Sequence, residues 1–269
     1  MRPAVEIGAR RVKVELVRRF LPLILAALAS TPDRARAAEL EPCAAEAVYE
    51  FKANHDPDGI GKFYLGREIA HVMGHEGADW LEREERDREE RPDLLLDALQ
   101  LKAGMSVADV GAGTGYHSRR MARLAGPTGK VFAVDIQKEM LEIIDAKSRK
   151  ESIGNIQTIL GDTKNPRLPR ASIDLVLMVD VYHELEYPCE MVAAIREALK
   201  PGGRLVLVEF RAEDPAVPIK PLHKMTATQA RKEMAHHSFR WVENSARLPW
   251  QHLLVFEKAA EPLPVPKAK

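Results

Sequence analysis

Three glycines at alternate positions mark the part of this sequence best suited to binding a ligand. Gly111, Gly113 and Gly115 lie in "VADVGAGTGYHSRRMA", between an apolar run and a segment with helical spacing. A glycine has no Cβ atom, so the chain can turn sharply there and come close to a ligand. The helix that follows offers unpaired N–H groups in its first turn. The stretch therefore predicts a strand-to-helix turn that holds a cofactor.

The spacing of these glycines favours one class of cofactor over another. A dinucleotide fingerprint places glycines at positions one, three and six. Here the sixth position is Tyr116, and the third glycine comes at position five. Asp109 also stands just before the first glycine. That carboxylate would repel a pyrophosphate, whereas it would attract a cationic ligand that carries an amino acid.

With these residues, "DVGAGTG" resembles the first motif of the class I S-adenosylmethionine-dependent methyltransferases, which has the form acidic-x-Gly-x-Gly-x-Gly. The resemblance extends from about Pro92 to Lys258. It implies S-adenosylmethionine as the cofactor and methyl transfer as the reaction. It also implies that four residues bind the methionine portion of the cofactor, namely Asp109, Gly111, Gly113 and Gly115.

Two aspartates that follow the next two strands extend the predicted cofactor site. "VFAVDIQ" ends a strand at Asp135, where a carboxylate can accept hydrogen bonds from both ribose hydroxyls. "LGDTKN" places Asp162 after the third strand, where the resemblance implies a contact with the adenine edge. We assign the adjoining Ile136 and Thr163 to the same site. The alternatives are a helix cap for Asp135 and an ordinary loop residue for Asp162.

The fourth strand ends in "MVDVYHEL", where we expect the reacting groups. Ligands of open α/β sheets collect at the carboxyl ends of the strands, so we predict that Asp180 faces the cofactor and Tyr182 the substrate. Methyl transfer to a neutral hydroxyl or amine benefits from a base, and His183 is the first candidate. Glu184 could orient that histidine. The alternatives are a histidine bonded only within its loop and a solvated glutamate.

Residues outside these strand ends are predicted to contact the substrate. Tyr64, His71 and His75 precede the sheet, in a region where the resemblance implies substrate specificity, and His223 lies on a proline-rich loop after the fifth strand. His71 and His75 are four residues apart, a spacing that also suits two metal ligands on a helix. Gly74 weakens such a helix and no third ligand is evident nearby, so we predict no metal site.

The elements that must position these residues follow a regular alternation. Near-continuous apolar runs alternate with helical segments, which is typical of a parallel sheet covered by helices on both faces. Two last strands, about 239–244 and 251–257, could form an antiparallel edge. We predict a doubly wound, mostly parallel seven-stranded α/β sheet, a Rossmann-like methyltransferase fold, over residues 92–258. Residues 38–91 are predicted to form an N-terminal helical cap, and 259–269 a disordered tail.

The first 37 residues have the layout of a secretory signal peptide. An arginine pair, Arg18 and Arg19, precedes a ten-residue apolar run and a small-x-small sequence that ends at Ala37. The pair also resembles a twin-arginine export signal. We predict a periplasmic or secreted protein with no stable membrane insertion after cleavage. In the alternative, an uncleaved amphipathic or buried helix would leave the protein in the cytoplasm.

Charge and cysteine content narrow the choice of partners and compartment. The 269 residues include 40 basic and 40 acidic ones, and cleavage after Ala37 would leave 32 basic and 37 acidic residues. No basic excess points to nucleic acid as a partner. The two cysteines, Cys43 and Cys189, could pair after export or stay as free thiols.

These observations together predict an S-adenosylmethionine-dependent methyltransferase that acts on a small-molecule acceptor. The main alternative is a noncatalytic module that binds S-adenosylmethionine or its demethylated product, S-adenosylhomocysteine, because a fold does not establish an activity. An NAD-dependent oxidoreductase is a further alternative, which the glycine spacing opposes. The sequence indicates neither the acceptor nor the oligomeric state.

Overall fold

A three-stranded antiparallel sheet precedes the main domain in the computed structural model, which describes Cys43 and residues 48–260. Its strands are β1 (Tyr49–Phe51), β2 (Gly59–Tyr64) and β3 (Arg67–Ala70). Short helical segments follow at His75–Gly77, Ala78–Leu81 and Arg86–Glu89. We call residues 48–91 the cap. The prediction of a helical cap is wrong for its first half, which is a sheet.

The turn between β2 and β3 explains this difference. Leu65 and Gly66 form a two-residue hairpin turn, with φ values of 47° and 90°. Two successive positive φ values match the twist of antiparallel strands and give a tight hairpin. The hairpin was not predicted from the sequence because leucine rarely adopts a positive φ, so "LG" is not a typical hairpin signal.

A seven-stranded sheet forms the main domain, as predicted. Its strands are, in chain order, β4 (Ser106–Val110), β5 (Lys130–Asp135), β6 (Ile156–Leu160), β7 (Ile173–Val179), β8 (Leu199–Phe210), β9 (Phe239–Ser245) and β10 (Gln251–Lys258). They lie in the order β6-β5-β4-β7-β8-β10-β9. All strand pairs in this sheet are parallel except the two that β10 makes. The predicted mostly parallel sheet with an antiparallel edge is confirmed.

Helices cover both faces of this sheet. They span Pro92–Leu99, Tyr116–Ala125, Lys138–Lys150, Pro188–Ala198 and Ala227–His236. Alternate residues of β7 enter two separate apolar clusters, with Val176 and Met178 in one and Leu175 and Leu177 in the other. Burial on both faces explains why the central strands read as continuous apolar runs rather than as alternating ones.

The strand order creates a crevice at one edge of the sheet. β4 has β5 on one side and β7 on the other, so the direction of the connections reverses at β4. Ligands of doubly wound sheets bind outside the carboxyl ends of the strands at such a switch point. The fold therefore predicts a ligand site among the residues that follow β4, β5, β6 and β7.

A disulfide joins Cys43 to Cys189 in the helix Pro188–Ala198. Of the two alternatives that the sequence left open, the cysteines are paired. Every helix in the described part of the chain is too short or too polar to cross a membrane. The predicted signal peptide (1–37) and residues 261–269 of the predicted tail lie outside the described residues.

Candidate active site

A cavity of about 790 Å³ opens at the carboxyl ends of β4 to β7. This volume lies in the range of small-molecule pockets, roughly 300–1,000 Å³. The walls come from the glycine turn, from the loops after β5, β6, β7 and β8, and from the cap. The cavity is therefore bounded by the strand ends that the sequence singled out.

The glycine turn approaches the cavity with bare backbone. Gly111 and Gly113 both line it and have φ values of 74° and 52°. A Cβ atom on Gly111 would lie 2.4 Å from a methyl group of Val181, and one on Gly113 would lie 2.7 Å from a methyl group of Leu81. The loop after β7 and the cap thus close directly onto the turn. A side chain at either position would therefore collide with these neighbours.

Two of the predicted cofactor contacts lie behind the turn rather than in the cavity. The Asp109 carboxylate is buried and accepts a 2.6 Å hydrogen bond from the Ser118 hydroxyl. Burial raises the pKa of Asp109 to about 6, although the Ser118 hydrogen bond opposes the rise. Gly115 packs against Ile144. Neither Asp109 nor Gly115 lines the cavity. Their predicted contact with the cofactor is therefore corrected: both residues shape the turn instead.

Asp135 lines the cavity and also holds the turn. Its two carboxylate oxygens accept 2.9 Å hydrogen bonds from the backbone N–H groups of Gly113 and Gln137. Gln137, not Asp135, is the N-cap of the helix Lys138–Lys150, so the helix-cap alternative is wrong. Burial raises the pKa of Asp135, and these backbone hydrogen bonds oppose the rise. Ile136 beside it lines the cavity with 41% of its surface exposed.

Asp162 and Thr163 line the cavity next to Asp135. One Asp162 oxygen accepts hydrogen bonds of 2.9 and 2.8 Å from the backbone N–H groups of Lys164 and Asn165. These bonds lower the pKa of Asp162. The Asp162 side chain therefore stabilises its own loop and also lines the cavity. This position is compatible with the predicted adenine contact and with the alternative of an ordinary loop residue.

Asp180 has an unusual conformation at the end of β7. It adopts a φ of 54°, and its carboxylate lines the cavity. Oδ2 accepts a 2.7 Å hydrogen bond from the Gln251 amide, while the buried Oδ1 has no hydrogen-bond partner among the described residues. Burial raises the pKa of Asp180 well above its usual range, and Glu90 and Glu209 add to the rise. Strained backbone and an unpartnered buried oxygen are features of ligand sites.

His183, Glu184 and His223 form a cluster on the cavity wall, which we call the triad. His183 Nε2 lies 3.1 Å from His223 Nδ1 and 3.6 Å from Glu184 Oε1. His223 Nδ1 lies 3.3 Å from the same Glu184 oxygen. The structure thus brings together the two predicted catalytic residues and one predicted substrate contact.

A buried carboxylate stands behind the triad. Glu209 Oε2 lies 2.6 Å from His183 Nδ1, and Glu209 has no exposed surface. Burial alone would lower the pKa of His183, but Glu209 and Glu184 outweigh it and raise that pKa to about 10. Burial likewise opposes ionisation of Glu184, yet hydrogen bonds from His183 and His223 hold its pKa at about 2. His183 thus lies between two carboxylates, Glu209 and Glu184, and both favour its protonated form.

The structure corrects the predicted substrate contacts of two tyrosines. Tyr64 and Tyr182 are fully buried and do not line the cavity. The Tyr64 hydroxyl bonds His237 at 3.0 Å, and the Tyr182 hydroxyl donates to Glu233 at 2.7 Å. Both side chains fill the space between the cap and the main domain, because a phenol is buried readily once its hydroxyl has a partner.

His71 and His75 of the cap do not lie together. His71 lines the cavity directly after β3, whereas His75 begins a 3₁₀ segment and does not line it. The predicted shared helical face is wrong because no helix joins the two residues. The assignment of His75 to the substrate is corrected accordingly.

Three buried charged residues that support the site were not predicted. Glu209 orients His183, and Arg67 pairs with Glu233 beneath the triad. Glu209 could have been found from the sequence, because it interrupts the apolar run "RLVLVEF". A carboxylate in a buried strand needs a partner. Arg67 and Glu233 are 166 residues apart and left no comparable signal.

The chain is similar in sequence to known methyltransferases. A family model described as "Methyltransferase domain" matches residues 101–257, more than half of the chain. The chain is 32% identical over 114 residues to a protein-L-isoaspartate O-methyltransferase of Methanothrix thermoacetophila, covering 42% of this chain and 51% of that protein. It is 32% identical over 118 residues to the ubiquinone/menaquinone biosynthesis C-methyltransferase UbiE of Pseudomonas aeruginosa, covering 44% and 46%. The chain thus spans about half the length of these curated relatives.

A solved structure supports the fold. The crystal structure of a SAM-dependent methyltransferase from Aquifex aeolicus superimposes with a TM-score of 0.66 at 21% identity, over 70% of this chain and all of that one. The cavity also suits S-adenosylmethionine, since Asp180 Oδ1 has no hydrogen-bond partner among the described residues and the glycine turn carries no side chain. The chain belongs to the methyltransferase-domain family, has the class I fold, and takes S-adenosylmethionine as its cofactor.

Proposed function

We propose that this protein transfers a methyl group from S-adenosylmethionine to a small-molecule acceptor held beneath the cap. One observation carries the proposal: the glycine turn, Asp180 and the triad all line the same cavity. A cofactor on the turn and an acceptor at the triad would therefore share one space. Orientation of two reactants in such a space can contribute several kcal/mol to catalysis.

We assign roles toward the cofactor to three residues of the cavity wall. S-adenosylmethionine, when bound, supplies an electrophilic methyl group on its sulfonium. Asp135 would accept hydrogen bonds from the ribose, and Asp180 Oδ1 from the amino group of the methionine portion. Leu81 closes over Gly113 and would exclude water from that end of the cavity.

The role of His183 differs from the one expected from the sequence. Glu209 and Glu184 raise its pKa to about 10, and this favours the protonated imidazole over the neutral form that a general base requires. Its two ring nitrogens face Glu209 on one side and Glu184 and His223 on the other, which supports a positioning role for His183.

The cap walls favour an acceptor with an apolar body. Ile60, Met73, Trp80 and Leu81 line the cavity from the cap, and Ile219 lines it from the loop after β8. The cap also contributes the polar side chains of Lys62, His71 and Arg86 to the cavity wall. We infer a small, largely apolar molecule whose one reactive group reaches the triad.

Export from the cytoplasm is also part of this proposal. The arginine pair and apolar run of the first 37 residues support it, as does the Cys43–Cys189 disulfide, because disulfides persist mainly in oxidising compartments. The twin-arginine route, which carries folded proteins, would allow export with the cofactor bound.

Binding and turnover measurements test the function. We expect S-adenosylmethionine and S-adenosylhomocysteine, but not NAD, to give calorimetric binding at one site. A metabolite extract incubated with protein and cofactor should then yield a product that is heavier by one methylene unit. Tight cofactor binding with no product across a broad acceptor panel would instead favour the noncatalytic module.

A further inference from the structure

The triad offers three metal ligands that converge on one point of the cavity wall. We propose that His183 Nε2, His223 Nδ1 and Glu184 Oε1 bind a divalent transition-metal ion of the zinc class. These atoms lie 3.1, 3.3 and 3.6 Å from one another. Among the described residues they form one of two groups with suitable ligand spacing, and the other contains the disulfide-bonded cysteines.

The distances match a coordination sphere. Zinc binds imidazole nitrogen and carboxylate oxygen at about 2.0–2.2 Å in a tetrahedron, which separates neighbouring ligands by about 3.3 Å. Two histidines and one carboxylate are a common protein contribution to a catalytic metal site that keeps a position open. All three side chains line the cavity, so the open position would face the acceptor.

The environment of His183 is that of a metal ligand. Metal-bound histidines usually donate their second ring N–H to a carboxylate, which fixes the tautomer and the ring orientation. Glu209 stands 2.6 Å from His183 Nδ1 and therefore leaves Nε2 for the cluster. Its other oxygen accepts a 2.8 Å hydrogen bond from the Tyr182 N–H. Glu209 is a positioning residue, and this role accounts for a carboxylate in the buried part of β8.

The other two ligands are also held in place. Glu184 Oε2 accepts a 3.2 Å hydrogen bond from the Met73 N–H, which leaves Oε1 directed at the two histidines. His223 ends the 3₁₀ segment Pro221–His223, and the neighbouring Lys220 pairs with Asp58 of the cap at 2.5 Å. The ligands thus come from two loops that are each anchored to the cap.

A metal ion at the triad would activate the acceptor. A hydroxyl or thiol that binds a divalent ion has a lowered pKa and can lose its proton to solvent at neutral pH. This part of the inference rests on the proposed methyl transfer, whereas metal binding itself does not.

Metal titration of the full, chelator-stripped protein tests the site. We expect one Zn²⁺ per chain by calorimetry, and one Co²⁺ with the visible absorption of a tetrahedral site. His223→Gln and Glu184→Gln should each weaken the affinity at least tenfold, and Glu209→Gln by roughly 10–100-fold. His75→Gln, a cap histidine outside the cavity, is the matched control and should bind as the wild type does.

The affinity for S-adenosylmethionine, measured on the same samples, shows that each variant is folded and separates the two proposals. Absence of Zn²⁺ and Co²⁺ binding in wild-type protein that binds S-adenosylmethionine overturns the metal site alone. Binding that His223→Gln and Glu184→Gln leave unchanged also overturns it. Metal binding without methyl transfer would instead count against the proposed function.

Discussion

Arg67 in β3 and Glu233 in the helix Ala227–His236 form a two-point ion pair beneath the active site. Arg67 Nε and Nη2 donate to the two carboxylate oxygens at 2.8 and 3.0 Å, and Nη1 donates to the His183 carbonyl at 3.1 Å. The Tyr182 hydroxyl donates to Glu233 as well. One guanidinium therefore joins the cap, the last helix and the backbone of the triad.

Removing the charge of Glu233 should destabilise the protein strongly. Glu233→Gln leaves the Arg67 guanidinium buried and unpaired, and breaking a buried ion pair in this way typically costs about 3–5 kcal/mol. Urea unfolding measures the change in the free energy of unfolding. The control is Glu257→Gln, which breaks the exposed pair with Arg240 and should cost less than about 1 kcal/mol. Equal effects of the two substitutions would show that the buried pair has no special role.

The Cys43–Cys189 disulfide should contribute to stability in its own right. It closes a loop of 146 residues, and loss of a native disulfide commonly costs about 2–5 kcal/mol. A reductant should therefore lower the free energy of unfolding of the wild type. Cys43→Ser should match the reduced wild type and should not respond to the reductant. A wild type that is indifferent to the reductant would mean that the thiols are free.

The glycine turn should tolerate no side chain. Gly113→Arg should abolish binding of S-adenosylmethionine, because the new side chain would occupy the space between the turn and Leu81. Gly202→Ala is the control, since Gly202 also has a positive φ, of 71°, but a Cβ atom there would meet nothing within 4 Å. It should cost roughly 1 kcal/mol of stability and leave cofactor affinity unchanged. If Gly113→Arg binds S-adenosylmethionine with unchanged calorimetric affinity, the cofactor does not bind at the turn.

Asp135 should matter for cofactor affinity more than for folding. Asp135→Ala removes the acceptor proposed for the ribose and also releases the Gly113 N–H, so affinity should fall by about 1–3 kcal/mol. Asp174→Ala provides the comparison, because Asp174 likewise accepts a backbone N–H, that of Ser106, but does not line the cavity. Calorimetry with S-adenosylmethionine should separate the two variants. A similar affinity for S-adenosylmethionine in both variants would show that Asp135 has only a structural role.

The main domain could be predicted because its signals are local. Each central strand is buried on both faces, so β7 reads as the unbroken run "IDLVLMV", and the glycine turn follows β4 directly in the chain. The strand ends then meet at one edge by the geometry of a parallel sheet. Gly111, Gly113, Asp135, Asp162 and Asp180 reached the cavity wall for this reason.

The cap and the support of the triad could not be predicted, because they depend on distant contacts. Tyr64 has the same polar-aromatic character whether it faces a ligand or His237, and only the tertiary structure decides. His183 was placed correctly, but its protonation depends on Glu209, which lies 26 residues further along the chain. The Glu209 carboxylate favours the protonated form of His183, which opposes the predicted role of this histidine as a base.

The burial of His237 should make stability depend on acidity. Its Nε2 bonds the Tyr64 hydroxyl, and its Nδ1 is buried with no hydrogen-bond partner in the described part of the chain. Burial, together with smaller contributions from the nearby charges of His236 and Arg196, lowers the pKa of His237 to about 3. In the unfolded chain a histidine has a pKa of about 6.5. Between these two values the unfolded state binds the additional proton.

The free energy of unfolding should therefore fall as the pH drops from about 6.5 towards 3, and His237 should add no slope above 6.5. One proton corresponds to a slope of about 1.4 kcal/mol per pH unit inside that window. His237→Gln should lose this component when urea unfolding is repeated at several pH values. The exposed His55→Gln should keep it, and His117, which is also buried, contributes equally to both variants. Parallel pH profiles for the wild type and His237→Gln would mean that His237 takes up its proton in the folded state, since only a group with different pKa values in the two states can tilt the curve.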